Sequence, residues 1–216
     1  HALTWISHKS GARIVGPVTG EQLEDGRFRL TLPVNCRQIW GYWTEMQGNT
    51  LKLYVRRPPT IAEPPDSPLK GLLFALEAGH GGSNSGAVGR MGTKEKDVNL
   101  AAVLALQEAL EQRGAQTIQV RPRDSSPSLR ERVDRANAAG ADFYVSMHAN
   151  AAGNTRGFLE ISGTSTYYLD AHCYLPADLV YRRLLDLDWQ EFGVVGNFSY
   201  SPLTNTRTPG ILVEQA

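Results

Sequence analysis

The chain has 216 residues, enough for one large domain or for a large and a small one with a real core. Lys plus Arg and Asp plus Glu are equal at 22 each, so no basic surplus points to nucleic acid. No apolar stretch approaches the ~20 residues needed to span a bilayer, so no transmembrane segment is expected.

The chain opens on His1 rather than Met and reads as a processed or trimmed piece, so the lack of a leader says nothing about export. The first 57 residues read as a small all-β module. Phe28, Leu30 and Leu32 alternate with Arg29 and Thr31, and Leu51, Leu53 and Val55 with Lys52 and Tyr54. That period of two predicts half-buried strands. Gly48-Asn49, between Tyr42–Gln47 and Thr50–Val55, predicts a hairpin turn. Three of the four tryptophans (Trp5, Trp40, Trp43) fall in this module. Filling a small core is the simpler reading of them, and an aromatic sugar platform the functional one. Arg56–Lys70 then holds five of the twelve prolines, a density that blocks helices and interior strands. A Pro-rich linker is therefore placed at 58–70. Cys36 and Cys173 read as unrelated thiols, with a long-range disulfide as the alternative.

From residue 71 to 216 the signals alternate. Leu72–Glu77 is an apolar strand, and Lys96–Arg113 a helix closed by Gly114. Thr117–Val120 is a second strand. Ser128-Leu129-Arg130-Glu131 is a capping box that opens a helix running to about Ala139, before Gly140. Phe143–His148 is a third strand and Gly157–Ser162 a fourth. Leu179–Leu187 reads as a helix and Ile211–Glu214 as a final apolar run. This alternation predicts an α/β fold: a mainly parallel sheet with helices on both faces, preceded by the β module.

Open α/β sheets bind ligands beyond the carboxyl ends of their strands. Two apolar runs end there in histidine, at Ala78-Gly79-His80-Gly81-Gly82 and Ser146-Met147-His148-Ala149-Asn150. Glycines around His80 let the backbone turn sharply and leave the imidazole uncovered. Two imidazoles at one sheet edge begin a metal site, which needs a carboxylate as third ligand. Glu95, just before a helix, is the candidate, although Glu95 or Asp97 could merely favour the positive end of that helix. Glu214 ends a buried run, where a carboxylate is expensive unless bonded or given a task, and is the candidate general base. Dinucleotide-loop, nucleophile-elbow, phosphate-loop and His-Glu-x-x-His patterns are all incomplete or missing.

The segments Ala78-Gly79-His80-Gly81-Gly82, Glu95-Lys96-Asp97-Val98-Asn99-Leu100, Ser146-Met147-His148-Ala149-Asn150 and Leu212-Val213-Glu214, in that order, resemble the zinc-dependent N-acetylmuramoyl-L-alanine amidases of the type 3 family. Arg121-Pro122-Arg123-Asp124 and Ser128-Leu129, Arg132 and Ala136-Asn137 fit the same pattern. The resemblance covers about 72–216 and not the β module. It implies one Zn2+ per chain held by His80, Glu95 and His148, Glu214 as catalytic acid/base, and hydrolysis of the amide between the N-acetylmuramic acid lactyl group and L-alanine in peptidoglycan. The enzyme would act after export, in the periplasm or in the cell wall and outside it. Two departures stand out: Glu77-Ala78 replaces the usual Asp-Pro, and the chain stops at Ala216 where the family continues, so a following tail is expected.

Arg121, Arg123 and Arg156 could meet substrate carboxylates, and capping or surface roles compete. No long insert that would plug the site is evident between His148 and Glu214, which favours an open site. A zinc peptidase acting within the stem peptide and a non-catalytic wall-binding protein are the alternatives, and the β module could contact wall or a protein partner.

Overall fold

The computed structural model describes residues 14–150 and 162–215. The chain divides into two compact units, His1–Pro58 and Pro59–Ala216.

The first unit contains two antiparallel hairpins, β1 (Thr19–Gln22) with β2 (Phe28–Thr31) and β3 (Tyr42–Gln47) with β4 (Thr50–Val55). Gly48-Asn49 makes the expected two-residue turn, Gly48 taking φ 58° at the first central position, which a II′ hairpin reserves for glycine. The expected half-burial holds only at the ends of the alternating runs: Leu32 and Val55 are half-buried, whereas Phe28, Leu30, Leu51 and Leu53 are exposed. A two-stranded ribbon has no second layer of its own to cover one face. Trp43 stacks on Tyr54 directly across the hairpin, with ring centroids 4.9 Å apart. Trp43 Nε1 and the Tyr54 hydroxyl both donate to Glu45, at 3.2 and 3.3 Å. This is cross-strand pairing that steadies the ribbon. Trp5 lies outside the described residues.

The second unit is built on a six-stranded sheet in the order β6-β5-β7-β10-β8-β9. The strands are β5 (Leu73–Ala78), β6 (Gln116–Gln119), β7 (Phe143–Ala149), β8 (Thr164–Tyr167), β9 (Glu191–Val195) and β10 (Gly210–Gln215). All pairings are parallel except β10 with β8. Helix α1 (Glu95–Glu111) and helix α3 (Tyr174–Leu185) cover one face, and α2 (Leu129–Ala139) the other.

Strand alternation decides which residue meets which helix. Leu76 and Ala78 pack with Val103 of α1, and Ile211 and Val213 with Ala177 of α3. Ala75 and Tyr144 pack with Ala136 of α2. The residues between, Glu77, His148 and Glu214, follow the α2 side of the sheet. The Ser128 capping box is complete, and Gly140 closes α2 at φ 72°.

Two elements differ from the sequence expectation. Helix α3 begins at Tyr174, not Leu179, because Pro176 lies in its first turn, where a missing N–H breaks no helical bond. Of the expected strand Gly157–Ser162, residues 157–161 lie outside the described residues and Ser162 is not in a strand. The strand in that region is β8, whose Thr164, Ser165 and Thr166 are fully buried. Their polarity hid it, yet Thr164 Oγ1 donates to Glu214 O at 2.9 Å and Thr166 Oγ1 to Ala177 O at 3.0 Å. Cys36 and Cys173 are free thiols.

Candidate metal centre and active site

At the carboxyl ends of β5, β7 and β10 an open cavity of about 430 Å³ is lined by His80, Glu95, His148 and Glu214, together with Asn84, Leu129, Arg132 and Tyr200. His80 follows β5 and sits at φ 61°, a left-handed backbone uncommon for a residue that carries a Cβ. A Cβ on Gly79 would overlap the His148 ring, so only glycine lets β5 and that imidazole approach. Glu95 is the first residue of α1, and His148 is the penultimate residue of β7.

The three side chains converge. His80, Glu95 and His148 each offer a ligand atom within 4.8 Å of the others. Glu95 Oε1 is 3.0 Å from His80 Nε2 and 3.1 Å from His148 Nδ1. Two ligands sharing a tetrahedral ion at ~2 Å bond lengths stand roughly 3.3 Å apart, so these separations fit one small ion. Two imidazoles and a carboxylate are also the donor set of hydrolytic zinc sites, which keep a fourth position open.

Charge is distributed unevenly over the site. Burial works to raise the Glu95 carboxyl, but the hydrogen bond with His148, the Ala87 and Ala149 amides and the His80 charge outweigh it and hold it at about 2. Glu95 is therefore ionised at any working pH. Burial works to depress His148, and its bond to Glu95 with the charges of Glu214, Glu77 and Glu95 turns the net shift upward. Glu214 is the opposite case. Burial pushes it up to about 7, with Glu95 adding and His148 opposing. Its Oε2 is buried and has no hydrogen-bond partner among the described residues. A carboxyl that is desolvated and idle at neutral pH is equipped to accept and return a proton.

Beneath the candidate ligands lies a buried polar network that is not among the sequence expectations. Glu77, 1% exposed, meets Arg132 Nη1 at 2.7 Å and accepts from the Tyr144 hydroxyl at 2.8 Å. Arg132 Nη2 also donates to His80 O at 2.8 Å. The departure at Glu77 thus falls in an anchor under the loop that carries His80. A glutamate near the end of an apolar strand, three residues before a histidine, is the available signal, since such a charge requires a buried partner.

Arg121 is fully buried and is not a substrate-facing group. Its Nε donates to Ala78 O at 2.8 Å, and its Nη2 to Gly79 O and Lys96 O at 3.2 and 2.9 Å. It ties β5 to the start of α1. Arg123 is exposed, and Arg156 lies outside the described residues. Tyr200, in the cavity wall, was also missed; its ring packs at 4.5 Å from Phe198 and 5.8 Å from Tyr167. Helix α3, in the interval between His148 and Glu214, packs on the sheet through Ala177, Val180 and Leu184 and not into the cavity.

Residues 75–216 match the family profile described as N-acetylmuramoyl-L-alanine amidase. The chain is 34% identical over 152 residues to the uncharacterized protein YqiI of Bacillus subtilis (strain 168), covering 68% of this chain and 70% of that one. It is 36% identical over 149 residues to N-acetylmuramoyl-L-alanine amidase LytC of the same strain, covering 69% of this chain and 27% of LytC. Among solved structures it resembles N-acetylmuramoyl-L-alanine amidase AmiC2 of Nostoc punctiforme, at TM-score 0.61 and 34% identity over 67% of this chain and 79% of that one. The catalytic domain of the amidase CwlV from Bacillus (Paenibacillus) polymyxa var. colistinus gives TM-score 0.60 and 28% identity, covering 66% of this chain and 79% of that one.

Proposed function

The chain belongs to the N-acetylmuramoyl-L-alanine amidase family of peptidoglycan hydrolases, and from that premise we propose that residues 71–216 form a catalytic domain that cleaves the amide joining the lactyl group of N-acetylmuramic acid to the L-alanine of the stem peptide. One observation carries the reading: two imidazoles and a carboxylate meet within 4.8 Å, in one open cavity, beside a buried Glu214 oxygen that has no hydrogen-bond partner among the described residues.

His80, Glu95 and His148 would hold one Zn2+ per chain, which when bound polarises a carbonyl and makes a nearby water more acidic. Glu214 takes the proton of the attacking water and hands it to the departing nitrogen of L-alanine. A carboxyl near 7 suits both halves of that task, being basic enough to accept and acidic enough to release. The Ala149 amide and Asn99 Nδ2, each 3.2 Å from Glu95 Oε1, keep Glu95 anionic and in place. Arg121 and Arg132 hold the carbonyls of Ala78, Gly79 and His80, so the loop bearing His80 keeps its shape when substrate enters.

Arg123 and Arg156 are assigned to carboxylates of the stem peptide. The module 1–57 contacts wall or a protein partner, with 58–70 as spacer. Among the described residues no helix is long and apolar enough to cross a membrane. Action on peptidoglycan places the protein after export, in the periplasm or in the cell wall and outside it.

The test is digestion of purified peptidoglycan by the zinc-loaded protein, with products read by mass spectrometry. An amidase releases stem peptides that begin at L-alanine and leaves glycan with free lactyl carboxylates. Muramoyl fragments that retain L-alanine would assign a peptidase instead, and binding without any release would assign a wall-binding protein.

A further inference from the structure

We infer that Asn84 fixes the tautomer and pose of His80 and is a positioning residue of the metal centre; the inference rests on the reading of that centre given above. Asn84 Oδ1 accepts the Gly86 N–H at 3.0 Å and stands 3.1 Å from His80 Nδ1. A backbone N–H can only donate, so the amide atom between Gly86 and the ring is the oxygen, and the amide cannot be turned over. Facing an oxygen, His80 Nδ1 must carry a proton and donate it. The ring nitrogen left to offer a lone pair is Nε2, the one 3.0 Å from Glu95 Oε1.

The local fold delivers this contact. Gly81 N donates to Asn84 O at 2.9 Å and Asn84 N to Gly81 O at 3.1 Å, closing a tight turn that swings Asn84 back beside the ring it follows by four positions. Arg132 holds the His80 carbonyl from below, so the residue is gripped at its backbone and at its ring. As a neutral amide, Asn84 orients the ring without placing a second negative charge beside Glu95. Partners that bond the outer nitrogen of a ligand histidine commonly account for 10–100-fold in metal affinity.

Two measurements test the assignment. Zinc competition against a fluorescent chelator should show the dissociation constant of Asn84→Ala raised about 10–100-fold over wild type, and Asn84→Asp, which keeps the acceptor, restored to within about 5-fold. In the zinc-loaded wild-type protein, nitrogen NMR of His80 should place the proton on Nδ1 and the metal on Nε2. This readout needs no variant and stands even if Asn84→Ala folds poorly. An Asn84→Ala dissociation constant equal to that of wild type, or a His80 proton found on Nε2, overturns the inference and leaves the metal centre intact. A wild-type chain that fails to bind zinc removes the centre itself, and the inference with it.

Discussion

Glu214 stands directly opposite His148 in the parallel register of β7 and β10. The proposed proton acceptor and a proposed metal-holding imidazole therefore leave neighbouring strands at the same level, on the same face of the sheet. Nothing in the local sequence of either strand sets that register. It follows from the pairing of Ile211 with Val145 and Val213 with Met147, which fixes the apolar face against α3 and carries the polar residues with it.

Glu214→Gln separates the proton-transfer role from metal binding. The variant keeps the size of the side chain and loses its basicity. Turnover of peptidoglycan should fall by about 10²–10⁴, the usual contribution of a positioned acid/base. Zinc content should stay at the wild-type level, since Glu214 is not among the three converging ligand groups. Elemental analysis beside a digest assay checks both halves, and loss of zinc from the variant would place Glu214 among the ligands.

The same carboxyl gives the zinc-stripped protein a pH signature. Its folded-state value, about 7, is above the ordinary 4.5, and burial is the main cause. A raised carboxyl stabilises the fold fully below its unfolded value and loses that contribution as pH climbs through the folded value. The window is therefore pH 4.5 to about 7, and the loss is of order 3 kcal/mol across it. Glu214→Gln cannot ionise, so its stability relative to wild type should rise through that window and level off above it. Urea titrations at pH 4, 6 and 8 measure the difference, and parallel curves at all three would show that Glu214 titrates normally.

Breaking the buried pair under the loop should be costly. Arg132 and Glu77 are 5% and 1% exposed in their side chains and 2.7 Å apart. Replacing Arg132 by Met strands the Glu77 charge, a change worth about 3–5 kcal/mol. The double variant Arg132→Met with Glu77→Gln should recover part of this by removing the orphaned charge. Tyr144→Phe, which deletes a single hydrogen bond to Glu77, should cost about 1–2 kcal/mol. Equal losses in Arg132→Met and the double variant would show that packing, and not charge, governs the site.

Much of this arrangement was legible in the chain because its elements are locally encoded. The capping box at Ser128, the apolar runs ending in His80 and His148, and Gly48-Asn49 each carry a signal within a few residues. The polar strand β8 carries none, because its threonines are satisfied by Glu214 O and Ala177 O from distant parts of the chain. Arg121 misled for a related reason. A guanidinium looks solvent-bound in sequence, yet here it is the cheapest way to satisfy a cluster of buried carbonyls at Ala78, Gly79 and Lys96. Phe28, Leu30, Leu51 and Leu53 show the limit of periodicity, which reports a strand and not what covers it.

Two glycines of the loop between His80 and α1 differ in what surrounds them. Gly86 and Gly92 both have positive φ, 64° and 81°, so alanine at either strains the backbone by about 1 kcal/mol. Their surroundings differ. A Cβ on Gly92 meets nothing within 4 Å, whereas one on Gly86 would overlap Glu95 Oε2 and the His80 ring. Gly92→Ala should therefore lower stability slightly and leave zinc affinity alone. Gly86→Ala must push apart the carboxylate and the imidazole proposed as ligands, and because a backbone amide of the same residue holds Asn84, it also loosens the contact that orients the ring. Zinc affinity in Gly86→Ala should drop by at least about 10-fold, the scale on which misplaced ligand supports act. Chelator competition on the pair of variants decides it: matching dissociation constants would mean the loop tolerates a methyl group between His80 and Glu95, and the proposed centre is looser than these distances imply.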